Sequence, residues 1–589
     1  MPNLSTQGNR RLSFFAAALV VALAGKIMYG FILANQPFYF YGSLPEQVLE
    51  YTAAKNFARS GFLKTYFLAD YSSSPSAVDH PYIYTHMPSG PAVFLGFLFK
   101  LGARLLTARL VFAAISLLGC ILFYLLVLEV TGAASTAALA IVLYSFNFSG
   151  FIEWSDHFTH SFYGPDFFGP LLFYFRFLRR QSKAELIGFV SFLALGLVTN
   201  YIAALPTVVS VVALHCFFNR ESRYSQKLLA LTFATIASVG AFHFLQNCLA
   251  LGFKVAIRDV LYTLGNRIAG IPSKSSLTGL YIKNKIVLWG SDTIQGAALL
   301  EWLSSAFLTP LKQPAALVSF FLIGCGFFFG FIRFNPSDRF RPIRLLGVIF
   351  LAPYSWYLLF VSHGSIYSLP FIHRFFAIGL FLSASYLIYL GAEDLLGGRR
   401  HRSSMPAAAT SFDRLGPIWL ASVTIAFVTT VASNIRQTCD VKLLYRYAKN
   451  WEAQSSPDFQ TYKKISSLLP RDAVVTTNLD GAIADFFAPN VLVFGGCQSS
   501  ALLSLKTNLC PSTFLDEETR RSAKPGYLWV SYHYLPGYSD CHDDACLNAL
   551  VGRLKKSYDV LGSVKNMWVL FDLSEKKMSQ QHRDSRACA

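Results

Sequence analysis

Through residue 433, apolar runs about 15 to 23 residues long alternate with short polar connectors, a length matched to the hydrocarbon core of a bilayer. In lipid a crossing segment must satisfy its own backbone, so each run is expected to be helix. The pattern predicts about eleven spans, at 14–34, 108–128, 134–152, 163–178, 187–201, 204–218, 228–250, 314–332, 345–361, 372–390 and 417–433. The three between 163 and 218 are short; tilting, kinking or part-way entry would each accommodate them. The first run follows Arg10 and Arg11 and continues without a small-residue cleavage site, so it reads as an uncleaved span and not a signal peptide.

The connector at 36–104 breaks the pattern. From Pro45 to Ser60 its spacing is helical, with Val48, Leu49, Thr52 and Phe57 along one side and Glu46, Glu50, Lys55 and Arg59 along the other. That suits a helix lying at the interface, stopped by Gly61. The apolar stretch 88–101 is short for a crossing and is placed in the outer leaflet. From Asn434 the pattern becomes that of a soluble domain. Ser456-Pro457 opens a helix running toward Leu469, strand-like runs lie at 473–477, 491–494, 527–531 and 567–571, and 548–557 reads as a second helix. The expected fold is an α-helical polytopic membrane domain, 1–433, followed by a small α/β domain, 434–589.

Charge sets the orientation. Counting spans from a cytoplasmic N-terminus, the inner connectors hold Arg179, Arg180 and Lys183; Arg220, Arg223 and Lys227; Arg333, Arg339, Arg341 and Arg344; and Arg399, Arg400, Arg402 and Arg414. The short outer connectors 155–162 and 362–371 hold no Lys or Arg, as the positive-inside rule requires. An odd number of spans puts the C-terminal domain outside. The outer connector 251–312 carries Lys254, Arg258, Arg267, Lys274, Lys283 and Lys285, but long loops escape the rule.

Composition agrees. Only 14% of the 589 residues are charged and 53% are hydrophobic, against about a quarter charged in soluble domains. The net charge of +18 sits in clusters between apolar runs, with no continuous basic face, so a nucleic-acid partner is not expected. Of the 10 cysteines, Cys120, Cys216, Cys248 and Cys325 lie in apolar runs, and no Cys/His spacing matches a zinc site. Cys497 with Cys510 and Cys541 with Cys546 can bridge if their domain is outside the cytoplasm.

Candidate chemistry concentrates on the outer side. Glu46 follows the first span closely, and a carboxylate that has lost part of its hydration at a lipid boundary is a better base. Glu46 and Glu50 are therefore candidate catalytic residues; the alternative is a solvated helix face. His80 and His86 offer metal ligation or binding of a phosphate or sugar hydroxyl; the alternative is polar filler in a loop stiffened by Pro81 and Pro88. Glu153, Asp156, His157, His160 and Asp166 flank one short outer connector, and charge at that depth tends to mark a site. Asp166, next to Pro165 and a Phe-rich run, is the least easily explained as scenery. His373-Arg374 opens a later span, where Arg374 can clamp a phosphate or snorkel to headgroups. Lys26 and His243 are unusual inside spans, and pairing with a polar neighbour would explain either.

Taken in order, these features resemble the polyprenyl-phosphate-dependent glycosyltransferases of the GT-C class, in particular the protein mannosyltransferase and lipid A aminoarabinose transferase group. The likeness covers residues 10–435. In that family an Asp-Glu pair after the first span leads into an Ala-rich helix ending in Gly. Here Pro45-Glu46-Gln47 leads into Ala53-Ala54-Lys55-Asn56-Phe57-Ala58-Arg59-Ser60-Gly61, with Glu46 in place of Asp and Gln47 in place of Glu. Thr85-His86-Met87-Pro88-Ser89-Gly90-Pro91 resembles the family's His-Pro-Pro stretch, Gly164-Pro165-Asp166 its second acidic position, and Thr199-Asn200 its Thr-Lys turn.

The resemblance implies inverting transfer of a sugar from a polyprenyl-phosphate donor to an acceptor hydroxyl on a lipid, glycan or protein at the outer face. Glu46 would be the base and Glu50 the second candidate. Asp166, also a candidate catalytic residue, and His86 would orient acceptor or sugar hydroxyls; His80, Asp156 and His373 would bind substrate; and Arg374 and the bases of 251–312, Arg267 among them, would meet the leaving phosphate. No cofactor is expected; a divalent metal is compatible and not required. A bacterial inner membrane is expected. The alternatives are an O-antigen ligase or polymerase, which keeps its key residues in a late loop, and a transporter, which would show matching halves that this chain lacks.

Overall fold

The computed structural model describes residues 44–71, 83–85, 88–134, 136–138, 141, 158–199, 201–269, 278–282, 285–289, 341–351, 464–470, 473–478, 492–495, 502–503, 512–513, 524–532, 544–565 and 568–573, with positions 20, 24 and 27. The expected spans at 314–332, 372–390 and 417–433, and the domain boundary at 434, lie outside the described residues.

The helix α1 (Leu44–Ser60) forms where the spacing predicts. Ala53, Ala54 and Phe57 are buried, while Lys55 and Arg59 are exposed. Gly61 ends it: its N–H reaches the Phe57 carbonyl at 3.0 Å and its φ is +86°, a conformation that glycine adopts without strain. The chain then turns back through β1 (Ala69–Asp70), held to α1 by Asn56 Nδ2 donating to the Asp70 carbonyl at 2.8 Å. β1 pairs with β2 (Ile83–Tyr84). Helix α2 (Gly90–Lys100) crosses α1 so closely that a Cβ on Gly96 would lie 2.8 Å from Phe57 Cβ.

The bundle follows: α3 (Leu105–Thr131), α4 (Tyr163–Arg180), α5 (Lys183–Thr199), α6 (Tyr201–Phe218) and α7 (Arg223–Leu251). Among the described residues, α3 and α7 are the two helices long and apolar enough to cross a membrane. The expected spans at 163–178 and 187–201 are helices of 18 and 17 residues, each running into the polar connector. They pack by exchange of glycine for ring. A Cβ on Gly169 of α4 would sit 2.4 Å from Phe192 of α5, and one on Gly188 of α5 would sit 2.5 Å from Phe173 of α4. Those two rings stack at 5.5 Å, the close approach that small residues permit between apolar helices.

The two ends of the bundle differ in chemistry. One gathers the basic connectors: Arg179 meets Glu129 at 3.0 Å and Arg180 meets Glu185 at 3.0 Å. Just inside it the Tyr174 hydroxyl, Ser225, His215 and Asn219 form one hydrogen-bonded network. The opposite end carries α1, β1, β2 and the start of α2.

The connector at 251–312 reads as loop in the sequence, but part of it is folded. Helix α8 (Phe253–Ala269) packs against α7, and a hairpin of β3 (Thr278–Ile282) and β4 (Lys285–Trp289) extends the sheet begun by β1 and β2, in the order β1-β2-β3-β4. Helix α9 (Arg341–Leu351) docks on α6, where the Ser210 hydroxyl reaches the Ile349 carbonyl at 2.9 Å.

In the C-terminal region, β5 (Val474–Thr477), β6 (Leu492–Gly495), β7 (Ser512–Thr513), β8 (Tyr527–Ser531), β9 (Asp559–Val564) and β10 (Trp568–Asp572) form a mixed sheet of order β7-β6-β5-β8-β10-β9. The period-2 alternation of a strand puts neighbours on opposite faces. Leu528, Val530, Val569 and Phe571 meet Leu547, Leu550 and Leu554 of α10 (Asp544–Ser557). Trp529, Trp568 and Leu570 face the other way, into an apolar cluster shared with Ala54 of α1, Leu95 of α2 and Phe112 of α3. Of the expected cysteine bridges, the structure has Cys546 disulfide-bonded; Cys497, Cys510 and Cys541 lie outside the described residues.

Gly188→Ala tests the glycine–ring packing. Helix propensity favours Ala by about 0.8–1 kcal/mol, while overfilling a packed contact costs about 1–3 kcal/mol. A lowered thermal midpoint in detergent is expected for Gly188→Ala. Gly240→Ala on α7, where an added Cβ meets nothing within 4 Å, should leave it level or raised.

Candidate active site

The site builds from Asp166, in the first turn of α4 and fully buried. Two glycines set its depth. A Cβ on Gly119 of α3 would fall 2.9 Å from Gly164 Cα, and one on Gly196 of α5 would fall 3.1 Å from Asp166 Cβ. Without side chains at those points, three helix backbones close around the carboxyl. Thr199, at the end of α5, donates its hydroxyl to Asp166 Oδ2 at 2.5 Å. The same hydroxyl lies 2.8 Å from the Leu195 carbonyl and 3.3 Å from that of Gly196. One hydroxyl proton serves these acceptors in turn. Asp166 Oδ1 is buried and has no hydrogen-bond partner among the described residues.

Pro170 contributes from within α4. It has no N–H, so the carbonyl of Asp166, four residues back, loses its helical donor. Thr207 of α6 reaches that carbonyl with its hydroxyl, at 3.4 Å.

The stretch opening α2 meets this pair directly. A Cβ on Gly90 would lie 2.6 Å from the Val198 carbonyl and 3.0 Å from Thr199 Cα. The Ser89 hydroxyl, at the position where a cap would serve its own helix, accepts instead from the Ala69 N–H at 2.7 Å. Thr85 is held from α7 and α8. Its hydroxyl donates to Asp259 Oδ2 at 2.8 Å, and its carbonyl receives His243 Nε2 at 2.9 Å and Asn247 Nδ2 at 3.4 Å.

On the α1 side, Arg109, five positions into α3, is buried near Tyr51. Burial pushes the Tyr51 phenol above its ordinary value, while the Arg109 guanidinium pulls it back down. Tyr51 also packs edge-on against Phe99 and lies under Lys55 Nζ.

The candidates from the sequence fall as follows. Asp166 lies at the centre of this cluster. Glu50 is half-buried on α1, and Glu46 lies on the same helix, in its first turn; the side chain of Glu46 lies outside the described residues. Arg267 lies on the last turns of α8, its side chain likewise outside them. His80, His86, Asp156, His373 and Arg374 lie outside the described residues. Among the described residues, no three His, Cys, Asp or Glu side chains converge as a metal would need. Sequence reasoning passed over Arg109, Thr207, Asn247 and Asp259. A charge inside an apolar run was the available signal for Arg109; a lone acid among the bases of α8 was the signal for Asp259.

No family model matches the chain, and no curated protein matches it. Among solved structures it is similar to ArnT from Cupriavidus metallidurans in the apo state, with a TM-score of 0.49 and 13% identity over 96% of this chain and 98% of that one. It is similar to the oligosaccharyltransferase of Archaeoglobus fulgidus in the apo form, with a TM-score of 0.47 and 14% identity over 88% of this chain and 69% of that one. A third similar structure is the oligosaccharyltransferase AglB of the same archaeon in complex with an inhibitory peptide and a dolichol-phosphate. There the TM-score is 0.45 and the identity 12%, over 93% of this chain and 73% of that one.

Thr199→Val removes the hydroxyl that reaches Asp166, and losing a partner to a buried polar group costs about 1–3 kcal/mol. A clear drop in thermal midpoint is expected. Thr199→Ser keeps the hydroxyl and should drop far less; equal losses for the two would show that the hydrogen bond is not what matters.

Proposed function

We propose that this chain is a GT-C-type glycosyltransferase of a cell membrane, moving a sugar from a polyprenyl-phosphate donor to an acceptor hydroxyl with inversion. The observation that carries the proposal is a run of direct contacts. Helix α1, ending at Gly61, packs on α2 at Gly96; Gly90 packs on α5 at Val198; and Thr199 bonds Asp166. Four stretches resembling the family's motifs, spread from residue 45 to residue 199, thereby meet at one end of a helix bundle. GT-C is also the class of the similar solved structures, which agrees with the proposal without carrying it.

In this mechanism Glu46 takes the proton of the acceptor hydroxyl as it attacks the anomeric carbon from the face opposite the phosphate. Glu50, one turn further along α1, is the second candidate base. Charge grows on the leaving phosphate, and fixed cations stabilise it as it forms. Arg267, Arg374 and the buried Arg109 are the candidates for that role. Asp166, His80, His86, Asp156 and His373 orient hydroxyls of sugar or acceptor. The site faces the non-cytoplasmic compartment of a bacterial inner membrane. The disulfide at Cys546 supports an oxidising surrounding for the C-terminal region, and the basic connectors at the far end of the bundle support a cytoplasmic face there. The acceptor is a lipid, a glycan or a protein.

The test is purified full-length protein in nanodiscs with polyprenyl-phosphate sugars, read as released polyprenyl phosphate. General-base catalysis contributes about 10²–10⁴-fold, so Glu46→Gln should lose a factor of that order and Glu50→Gln less. Full transfer by both variants, or no release from any such donor by the unaltered protein, would overturn the proposal.

A further inference from the structure

We infer that Asp259, His243 and Asn247 are positioning residues that latch the first outer loop, through Thr85, onto the α7–α8 corner. The inference deepens the glycosyltransferase reading and rests on it for the word positioning; the latch itself rests on the geometry alone.

Thr85 is 3% exposed and Asp259 4%, so their polar atoms have little water to turn to. The Thr85 hydroxyl donates to Asp259 Oδ2 at 2.8 Å across 174 residues of chain. A carbonyl only accepts, so His243 Nε2 must carry the proton it shares with the Thr85 carbonyl at 2.9 Å. Asn247, one helical turn beyond His243, adds a second donor to that carbonyl at 3.4 Å. Hydroxyl and carbonyl of one residue are thus gripped from two helices at once. A buried threonine needs one partner for its hydroxyl; this one has three residues turned toward it, two of which reach its backbone.

A second tie runs in parallel. Ile83 of β2 pairs with Tyr281 of β3, and β3 follows α8 in the chain. Gln246 of α7 also donates to the Tyr66 carbonyl at 2.7 Å, earlier in the first loop. The first loop is therefore fastened to the α7–α8 corner at Tyr66, Ile83 and Thr85. Beyond Thr85 its next described fixed points are Ser89, bonded to Ala69, and Gly90, against Val198. Thr85 and Gly90 bracket a short bridge whose far end abuts the Asp166–Thr199 pair. Fixing Thr85 therefore fixes how the loop enters α2, and with it the ground on which α1 sits. Lys254 and Arg258 stay exposed on the solvent side of α8, so the face that carries Asp259 is the one spent on the latch.

The test uses full-length protein in nanodiscs and two independent readouts. The first is amide hydrogen exchange at 83–85 and 278–282. Thr85→Val and Asp259→Ala should each speed exchange about 10- to 100-fold, the factor a lost charge-assisted hydrogen bond carries. The double variant should be no faster than either single one. Thr85→Ser should retain protection, as should His243→Gln, whose amide nitrogen stands near the place of Nε2; His243→Leu should lose it. The second readout is steady-state transfer, in which the disruptive variants should lower kcat with KM little changed. Unaltered exchange in Thr85→Val and Asp259→Ala, or additive effects in the double variant, would overturn the latch. Lost protection with kcat unchanged would overturn its positioning role. Protein that shows the exchange pattern but transfers no sugar would sink the function reading and leave the latch standing.

Discussion

A carboxyl group cannot be taken out of water without arrangements for it, and the bundle is shaped by that need around Asp166. The penalty for an isolated buried charge runs to several kcal/mol, far more than any single packing contact returns. Gly119 and Gly90 each remove a side chain where another helix backbone comes close, and Gly196 removes one where the Asp166 side chain does. Thr199 and Thr207 supply hydroxyls where the carboxyl and its own backbone carbonyl need donors. Pro170 belongs to the same arrangement, because by withholding an N–H it frees the carbonyl that Thr207 then serves. What sounds like six local features is one constraint met from five helices.

The outer loops answer to that arrangement. Helix α1 reaches it through α2, and α2 reaches it through Gly90. The late loop, α8 with its hairpin, reaches it through Thr85. Two connectors separated by most of the bundle in sequence thus form one layer over a single polar spot. At the far end of the bundle Arg179 is half-exposed beside a largely buried Glu129, and the Tyr174, Ser225, His215 and Asn219 network lies just inside. One end closes around a buried carboxyl, the other around a buried hydroxyl network beneath a charged fringe.

Much of this was legible in the sequence, for identifiable reasons. The α1 helix and its stop were written in helical spacing and a glycine, both local signals. The strands at 474–477 and 527–531 were written in runs of β-formers and were located to within a residue. Asp166 stood out because a charge at that depth is rare. Partners were not legible. Thr199 lies 33 residues from Asp166 and His243 lies 158 from Thr85, and no periodicity links positions so far apart. Helix α8 was missed because its bases and flanking glycines resemble a loop, and Arg109 because one charge barely lowers the average of a long apolar run.

The C-terminal sheet shows most plainly what such long-range ties entail. Trp529, Trp568 and Leu570 are buried in one cluster with Ile465 and Leu469 of their own region and with Ala54 of α1, Leu95 of α2 and Phe112 of α3. Cut loose, that sheet would bare to water the apolar area that α1, α2 and α3 now cover. It is not a passenger on a tether that could be traded freely for another module. Over evolutionary time, replacements on the tryptophan side of the sheet and at the facing positions of α1, α2 and α3 have to keep step, so that divergence in either is paced by the other.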